Sequence, residues 1–204
     1  MKLLIFPYNG NGLEALDCIG KNIEFLGFVD DTIEKHGINE YGNKVFGREA
    51  FEMFPDAFIL AVPGSPTSFR IRGKIIDGLH LKNERFINLI HKSACVSPLA
   101  KLGVNIMIMA GVVITSNAVI NNNVCILPNS VVHHDTSIGE YTLVGSNVTI
   151  AGNTTVGRNC YIGSGSSIIN GITIGDETLV GMGSNVIKSL PKGVKVVGNP
   201  ARII

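Results

Sequence analysis

Residues 126–156 read ILPNSVVHHDTSIGEYTLVGSNVTIAGNTTV, and this stretch decides the fold. Every sixth residue in it is Ile or Val, and the same spacing continues in both directions. A period of six differs from the 3.6 residues of a helix and the two of an ordinary strand, and is typical of hexapeptide-repeat β-helices. Seventeen consecutive positions carry Ile, Val or Leu at this spacing: Ile90, Val96, Leu102, Ile108, Ile114, Ile120, Ile126, Val132, Ile138, Val144, Ile150, Val156, Ile162, Ile168, Ile174, Val180 and Val186.

The repeat also predicts the geometry of the coil. Three hexapeptides complete one triangular turn, so the aliphatic positions stack as ladders inside a prism. Because the run has no break, we expect about five coils without an inserted loop. Glycine often follows the ladder position, where the corner needs a small side chain or an unusual backbone conformation: Gly103, Gly139, Gly145, Gly157, Gly163, Gly175 and Gly181.

The first ninety residues follow another pattern. Short apolar segments alternate with stretches of helical character, which indicates a small parallel α/β sheet. The change of pattern places the boundary near His91. We expect strands at Lys2–Phe6, Ile23–Asp31, Ala57–Val62 and Phe86–Ile90, and helices at Leu13–Gly20 and about Thr67–Leu79.

Composition limits the classes of function. Seventeen basic and sixteen acidic residues give a net charge of +1, which argues against a nucleic-acid or acidic-membrane partner. No signal-peptide pattern and no membrane-length apolar stretch is visible, so a cytoplasmic location is expected. The four cysteines have no metal or redox spacing, and we expect free thiols and no bound metal: Cys18, Cys95, Cys125 and Cys160.

Two features of the first segment suggest a ligand site. The loop Asn9, Gly10, Asn11 and Gly12 follows the first strand, and its backbone N–H groups could face a phosphate. The same glycines would also serve a purely structural tight turn. Asp30 and Asp31 end the second strand and could accept hydrogen bonds from a base or ribose, although a helix cap or a solvated turn is the alternative.

The order of motifs along the chain resembles the NeuD/PglD family of bacterial sugar acetyltransferases. It comprises the strand, glycine loop and acidic strand end, the phrase Asn88–Ala94 (NLIHKSA), a β-helix with a His-Asp step, and the ending Gly198–Arg202 (GNPAR). The resemblance covers essentially the whole chain. It implies a Rossmann-like α/β domain over residues 1–90, a left-handed parallel β-helix over 91–188, and a C-terminal tail near CoA over 189–204.

The resemblance also implies an activity. Members use acetyl-CoA to N-acetylate the 4-amino group of a nucleotide-linked deoxysugar, and others O-acetylate sialic acids. They form homotrimers with the active site between neighbouring β-helices. Ser164 and Met182 match positions that line CoA, and Pro200 and Arg202 belong to an ending that resembles the tail closing over CoA. Lys188 and Arg202 could meet its phosphates, although solvent exposure is the alternative. Gly64 and Arg70 can serve as a loop and a phosphate contact of the acceptor site.

Acetyl transfer requires a base for the attacking amine and a donor for the developing oxyanion. Histidine suits the first role because its pKa lies near neutrality. His134 aligns with the family's catalytic histidine and Asp135 with the acid that orients it, whereas a structural role is favoured for His133. Gly152 lies eighteen residues beyond His134, one full coil, so stacking places the two side by side. The resemblance gives the Gly152 N–H the oxyanion role.

Three departures from the family pattern leave the acceptor sugar open. Asn11 replaces a histidine of the family's G-x-S-G-H loop, Leu127 replaces an asparagine near the amine, and Leu143 replaces a second histidine near the coenzyme. The sequence specifies neither the nucleotide base nor the stereochemistry of the sugar.

Other functions remain alternatives. An O-acetyltransferase of a sialic-acid-type sugar differs only in the nucleophile, and a noncatalytic sugar-nucleotide-binding scaffold could keep the same fold. A β-helical zinc carbonic anhydrase would need three histidines at one metal. Only His91, His133 and His134 occur from the start of the β-helix onward, and two of them are adjacent in sequence.

Overall fold

A computed structural model describes residues 1–204. The N-terminal part is a five-stranded sheet of order β3-β4-β2-β1-β5, parallel except for the antiparallel pair β3 and β4. Its strands are β1 Lys2–Phe6, β2 Glu24–Val29, β3 Gly37–Ile38, β4 Lys44–Phe46 and β5 Phe58–Ala61. Its helices are α1 Gly10–Glu14, α2 Ala50–Met53 and α3 Arg72–Asp77, with 3₁₀ turns at Ala15–Cys18, Ile33–Lys35, Phe69–Ile71 and Asn83–Arg85.

The β-helix is confirmed, but the expectation of a Rossmann-like N-terminal domain is wrong. A Rossmann-like unit covers both faces of its sheet with helices, but the three α-helices here have only five, four and six residues. The β3–β4 hairpin was not foreseen. The expected helix at Leu13–Gly20 is divided between α1 and a 3₁₀ turn, and no helix of the protein reaches the length and hydropathy needed to cross a membrane.

The rest of the chain is a parallel β-helix. Strands that lie eighteen residues apart pair in parallel register, as Val132 does with Ile150. The coils present three sheets, which we call faces 1, 2 and 3, and their strands follow one another in that order along the chain. Face 1 holds β6 Leu89–Ile90, β9 Met107–Ile108, β12 Cys125–Ile126, β15 Leu143–Val144, β18 Tyr161–Ile162 and β21 Leu179–Val180. Face 2 holds β7 Cys95–Val96, β10 Val113–Ile114, β13 Val131–Val132, β16 Thr149–Ile150, β19 Ser167–Ile168 and β22 Asn185–Val186. Face 3 holds β8 Lys101–Leu102, β11 Val119–Ile120, β14 Ser137–Ile138, β17 Thr155–Val156 and β20 Thr173–Ile174.

The final residues extend face 1. Strand β23, Lys195–Val197, pairs in parallel with β21, and β24, Arg202–Ile203, pairs with β23 in the antiparallel sense. The turn between them folds back on β22, because the Ala201 N–H donates to the Asn185 carbonyl at 2.8 Å. The tail is therefore tied to the last coil.

The ladder positions form the predicted core. Twenty-one buried residues make one cluster inside the prism, and every ladder residue from Ile108 to Val186 belongs to it. Buried Ser and Thr hydroxyls beside the ladder donate to carbonyls of the next coil, as Thr142 does to Gly157 at 2.8 Å. Because a buried polar group without a partner is destabilising, these bonds allow small polar residues in an apolar interior.

The corners differ in one respect from the expectation. The left-handed backbone conformation falls three residues after the ladder, where the chain places Asn, Asp or Gly at most corners, and not at the glycines that follow the ladder directly. Those glycines are needed for close packing: a Cβ on Gly139 would lie 2.5 Å from the Gly157 carbonyl carbon. Asparagine and aspartate tolerate the left-handed region better than other side chains.

The N-terminal sheet and the β-helix share a hydrophobic core. Leu3, Ile5 and Phe28 of the sheet lie in one buried cluster with Met107 and Leu143 of face 1. Asn105 adds a polar link, because its side chain accepts from the Ala61 N–H at 2.7 Å and donates to the Ala61 carbonyl at 3.0 Å. Face 1 thus covers the sheet face that helices would cover in a Rossmann-like unit.

We predict that Ile138→Ala destabilises the protein strongly. Ile138 is 0% exposed at a ladder position, and truncation of such a side chain lowers the free energy of unfolding by about 2–5 kcal/mol. Urea denaturation measures the change. Ile33, which is 76% exposed, provides the control, and equal losses for Ile138→Ala and Ile33→Ala would contradict the ladder as the main core.

Candidate functional site

His134 and Asp135 project from a corner of the β-helix. Val132 enters the core as the last residue of β13, and the chain then turns toward face 3. Asp135 takes the left-handed conformation of the corner, with φ of 57°. Its side chain and that of His134 are about half exposed. The corner therefore presents an imidazole and a carboxylate side by side on the surface.

The two side chains form a hydrogen-bonded pair. His134 Nδ1 lies 2.8 Å from Asp135 Oδ2, and Asn117 Nδ2 donates to Asp135 Oδ1 at 3.1 Å. The bond from His134, followed by that from Asn117, holds the pKa of the Asp135 carboxyl below its ordinary value. An ionised carboxylate only accepts, so Nδ1 carries the proton and Nε2 of the neutral ring is free to accept one.

Gly152 lies against this free nitrogen. A Cβ on Gly152 would be 2.6 Å from both Nε2 and Cε1 of His134, so only glycine leaves room for the ring. The Asn153 N–H donates to the His134 carbonyl at 3.0 Å and fixes the two coils against each other. The Gly152 N–H itself donates to no acceptor in the chain. The structure thus places together the three residues expected to be catalytic.

Asn117 was missed by the sequence analysis. It lies one coil before Asp135, just as Gly152 lies one coil after His134. The eighteen-residue spacing applied toward the N-terminus would have found it. His133, by contrast, is half buried and its side chain makes no hydrogen bond. No three His, Cys, Asp or Glu residues lie close enough together to hold a metal ion.

Ser164 and Met182, two of the residues expected at CoA, follow another edge of the prism, between faces 1 and 2. Ser164 stacks on Gly145, since a Cβ on Gly145 would lie 2.7 Å from Ser164 Oγ. Met182 stacks on Gly163 in the same way and is 75% exposed. The N–H groups of Ser164 and Met182 donate to no acceptor in the chain. Lys188 and Arg202 are exposed near the end of the β-helix, and Pro200 follows a cis peptide bond in the tail.

A pocket opens where the loops of the N-terminal sheet meet face 1. Its empty volume is about 480 Å³. Asn11 and Gly64 line it, as do both leucines that depart from the family pattern. We call it the loop pocket, and its full lining is Asn11, Gly64, Ser65, Pro66, Cys125, Leu127, Leu143, Val144, Gly145 and Tyr161.

The glycine loop after β1 has mainly structural contacts. Asn9 caps α1, because its Oδ1 accepts from the Gly12 N–H at 2.8 Å. Gly12 is buried, and a Cβ there would lie 2.4 Å from the Pro7 carbonyl oxygen, whereas Gly10 is exposed with open space around it. Asn11 faces the loop pocket, with Nδ2 3.4 Å from the carbonyl oxygens of Val62 and Gly64.

The acidic pair at the end of β2 is engaged within the chain. Asp30 is buried and accepts from the Thr32 N–H and from Lys35 Nζ, each at 2.9 Å. Burial by itself raises the pKa of Asp30, but the bonds from Lys35 and Thr32 outweigh it and leave the pKa below its ordinary value. Asp31 is exposed and accepts two bonds from Arg48, at 2.6 and 2.8 Å. Asp30 thus makes the turn contacts given above as the structural alternative.

The two arginines that follow β5, Arg70 and Arg72, lie in different surroundings. Arg70, expected at a phosphate, donates to the carbonyls of Glu177 and Gly193 at 3.0 and 2.8 Å and lies outside the loop pocket. Arg72 is 0% exposed and lies beneath Gly64, which needs its φ of 121°. No sequence pattern distinguishes the two arginines, and the position of Arg72 was missed.

Within one chain the catalytic candidates and the loop pocket lie at different edges of the prism. His134 follows face 2 on the way to face 3, whereas Leu127 and Gly145 follow face 1 on the way to face 2. Leu127 and His134 nevertheless belong to the same coil, since β12 and β13 are consecutive strands of it. The two parts of the site therefore lie at similar heights along the β-helix axis.

The chain has clear similarity to known proteins. Residues 117–152 and 153–188 match the bacterial transferase hexapeptide (six repeats) family. Comparison with curated protein sequences gives no match. PerB from Caulobacter crescentus, solved in complex with CoA and GDP-perosamine, is 28% identical with a TM-score of 0.83, over 100% of this chain and 96% of PerB.

Two further solved structures resemble the whole chain. The acetyltransferase domain of PglB from Neisseria gonorrhoeae FA1090 is 26% identical with a TM-score of 0.84, over 100% of this chain and 99% of that domain. WeeI from Acinetobacter baumannii AYE, at 24% identity and a TM-score of 0.85 over 100% of both chains, shows the same fold. The predicted resemblance to NeuD/PglD-type sugar acetyltransferases is confirmed. The left-handed course of the β-helix follows from it.

We predict that His134→Ala raises the pKa of Asp135 toward its ordinary value. The bond from His134 is the largest cause of the lowered pKa, so its removal takes away the main stabilisation of the carboxylate. Titration of the Asp135 carboxyl carbon by NMR measures the shift. Asn117→Ala is expected to raise this pKa by less, and an unchanged pKa in His134→Ala would contradict the pair.

Proposed function

We propose that the protein is an acetyl-CoA-dependent N-acetyltransferase that acts on the amino group of a nucleotide-linked amino sugar, with a 4-amino deoxysugar as the expected acceptor. The single observation that carries the proposal is the arrangement of His134, Asp135 and Gly152 at one corner. Asp135 accepts a hydrogen bond from the Nδ1 side of His134, and Nε2 lies against Gly152 of the next coil, whose N–H is unpaired. The similarity to PerB, which binds CoA and GDP-perosamine, supports this chemistry.

His134 acts as the general base in this proposal. An attacking amine must lose a proton as it forms the amide, and His134 Nε2 is the acceptor that the Asp135 bond leaves open. Asp135 fixes the ring and stabilises its charged form after the proton is taken, and Asn117 holds Asp135 in place. No covalent acyl-enzyme is required, because neither Ser nor Cys pairs with His134.

Gly152 supplies the hydrogen-bond donor for the developing oxyanion in this proposal. Acetyl-CoA, when bound, presents a thioester whose carbonyl oxygen gains negative charge during transfer. The Gly152 N–H has no partner in the chain, and Gly152 packs against the His134 ring, so this N–H is a suitable donor to that oxygen. Base and donor come from adjacent coils whose spacing is fixed by the Asn153 bond.

The edge with Ser164 and Met182 fits the pantetheine arm of CoA. Their unpaired N–H groups follow one another one coil apart and can donate to its amides. Gly145 and Gly163 leave this edge without projecting side chains. Lys188 and Arg202 lie at the far end, where they can meet the phosphates, and Pro200 shapes the turn of the tail.

The acceptor is proposed to occupy the loop pocket. Asn11, Gly64 and Ser65 offer polar atoms on the loop side, and apolar side chains of face 1 form the other wall. Gly10 and Asp31, which are exposed at the same end of the N-terminal sheet, lie where the nucleotide would extend. The sugar would then project from the pocket toward a catalytic histidine.

A homotrimer completes this site. The loop pocket and His134 lie at different edges of one chain but in the same coil. A threefold axis parallel to the β-helix keeps equal coils at equal heights, so it can bring His134 of one subunit to the loop pocket of the next. Each active site would then contain parts of two subunits.

The setting of the reaction is part of the same proposal. All four cysteines are free thiols, and Cys95 is exposed, which fits a reducing compartment such as the cytoplasm. A nucleotide-linked amino sugar is an activated donor for glycan assembly. We therefore place the enzyme in the biosynthesis of a bacterial surface glycan.

We predict that His134→Ala lowers turnover by at least about 100-fold, because a positioned general base contributes roughly that much. Thiol release from acetyl-CoA measures the rate with UDP-, dTDP- and GDP-linked 4-amino sugars, and with sialic acids as hydroxyl acceptors. CoA affinity is expected to stay within about threefold of wild type, because His134 provides the base and not the CoA contacts.

His133→Ala is the matched control, since His133 is adjacent and makes no side-chain hydrogen bond. Equal losses in both variants would remove His134 from the mechanism. Turnover of a sialic acid but of no amino sugar would replace N-acetylation by O-acetylation. If the wild-type protein binds CoA but shows no turnover with any acceptor, a noncatalytic scaffold would be favoured.

We also predict complementation between two inactive variants. His134→Ala removes the base, and Leu127→Arg places a long charged side chain in the loop pocket. If each site combines two subunits, coexpression restores turnover to about a quarter of the wild-type value through sites assembled from the intact halves. Each variant alone is the control, and absence of any recovery in mixed trimers would contradict a shared site.

A further inference from the structure

Arg72 is a buried cation without an anionic partner. Its side chain is 0% exposed, and its two hydrogen bonds go to carbonyl oxygens, from Nε to Pro63 at 2.7 Å and from Nη1 to Asn123. Nη2 is buried and has no partner, and no carboxylate lies within salt-bridge distance. Burial lowers the pKa of Arg72 to about 10, so the guanidinium stays charged at neutral pH.

The neighbouring cysteine cannot neutralise this charge. Cys125 is fully buried on face 1 near Arg72. Burial raises the pKa of the Cys125 thiol to about 12, so it is uncharged at neutral pH. A buried charge that lacks a counter-ion destabilises a protein by several kcal/mol unless another group compensates it.

The side chain of Arg72 lies directly behind the wall of the loop pocket at Gly64. Gly64 lines the pocket and has no side chain, and a Cβ built on it would lie 3.1 Å from Arg72 Cδ and 3.6 Å from Nε. Cys125 lines the same pocket. Half of the ten lining residues are hydrophobic, and no solvent contacts the fully buried guanidinium, so its charge is weakly screened.

We propose that Arg72 supplies the counter-charge for the diphosphate of the nucleotide-linked acceptor in the loop pocket. The inference rests on the proposed function for the identity of the acceptor. It assigns the diphosphate to Arg72, which packs against Gly64 of the pocket wall, rather than to Arg70, which lies outside the loop pocket. Arg72 acts through the thin wall at Gly64 and also holds that wall in place through Pro63.

The test compares ligands that differ only in phosphate. Calorimetry measures binding of UDP, dTDP and GDP and of the matching nucleosides to the full-length protein without acetyl-CoA. Arg72→Gln is expected to lower the affinity for the nucleoside diphosphate by at least tenfold, for whichever diphosphate the wild type binds. It is expected to leave the affinity for the nucleoside unchanged. Arg72→Lys, which keeps the charge, is expected to stay within threefold. In the thiol-release assay with acetyl-CoA and the amino-sugar acceptor, Arg72→Gln is expected to raise KM for the acceptor more than it lowers kcat.

Lys74→Gln is the matched control, because it removes an exposed positive charge from the same helix. Cys125→Asp tests the charge without removing Arg72, since a carboxylate there would neutralise the guanidinium. Cys125→Asp is expected to lower the affinity for the diphosphate as Arg72→Gln does, whereas Cys125→Asn is expected to leave this affinity unchanged. This pair decides the question if Arg72→Gln does not fold.

Several outcomes would overturn the proposal. These are equal weakening of nucleoside and diphosphate by Arg72→Gln, unaltered diphosphate binding in Cys125→Asp, or a loss found in Arg70→Gln instead. Failure of wild type to bind any of the three diphosphates would overturn it as well, even with thiol release intact. Loss of thiol release with diphosphate binding retained would instead overturn the proposed function.

Discussion

The stacking of identical coils eighteen residues apart is the constraint on which the rest of the structure depends. Each coil buries one aliphatic residue per face, and parallel pairing such as that of Val132 with Ile150 prevents any coil from sliding. A shift of one residue would expose the whole ladder, so the hydrophobic pattern and the register enforce each other. The same register fixes the positions of the corner residues. That is why His134 and Gly152 meet although neither belongs to a strand.

Asp135 and Arg72, the two charged groups on which the proposals depend, lie in different environments. Asp135 stays exposed, and its bonds to His134 and Asn117 make ionisation easier without any burial. Arg72 is enclosed where the N-terminal sheet meets face 1, and its carbonyl partners leave its charge uncompensated. The first arrangement suits proton transfer, because the imidazole remains accessible. The second suits anion binding, because a buried charge acts strongly through a low-dielectric wall.

Much of the β-helix could be predicted from its period alone. The ladder, the coil arithmetic that joins His134 to Gly152, and the exposed position of the His-Asp step need only local spacing. The N-terminal sheet could not be predicted in the same way, because its packing partner is a distant part of the chain. The short helices α1 and α3 read as longer helices in the sequence, but face 1 covers the sheet instead. The turn contacts of Asp30 depend on Lys35 and Thr32, whose side-chain and backbone positions no spacing rule specifies.

Leu127 and Leu143 of the loop pocket bear both on the acceptor and on the charge of Arg72. Leu127 and Leu143 stand where the family pattern has polar residues, and both lie in the wall opposite the loops that carry Asn11 and Gly64. Replacing polar groups by apolar ones removes hydrogen-bond partners for an acceptor, yet it also lowers the local dielectric around Arg72. A charge in such surroundings attracts an anion more strongly than the same charge beside polar side chains. In the proposed complex, the apolar wall would therefore shift recognition from hydrogen bonds with the sugar toward electrostatic attraction of the nucleotide part.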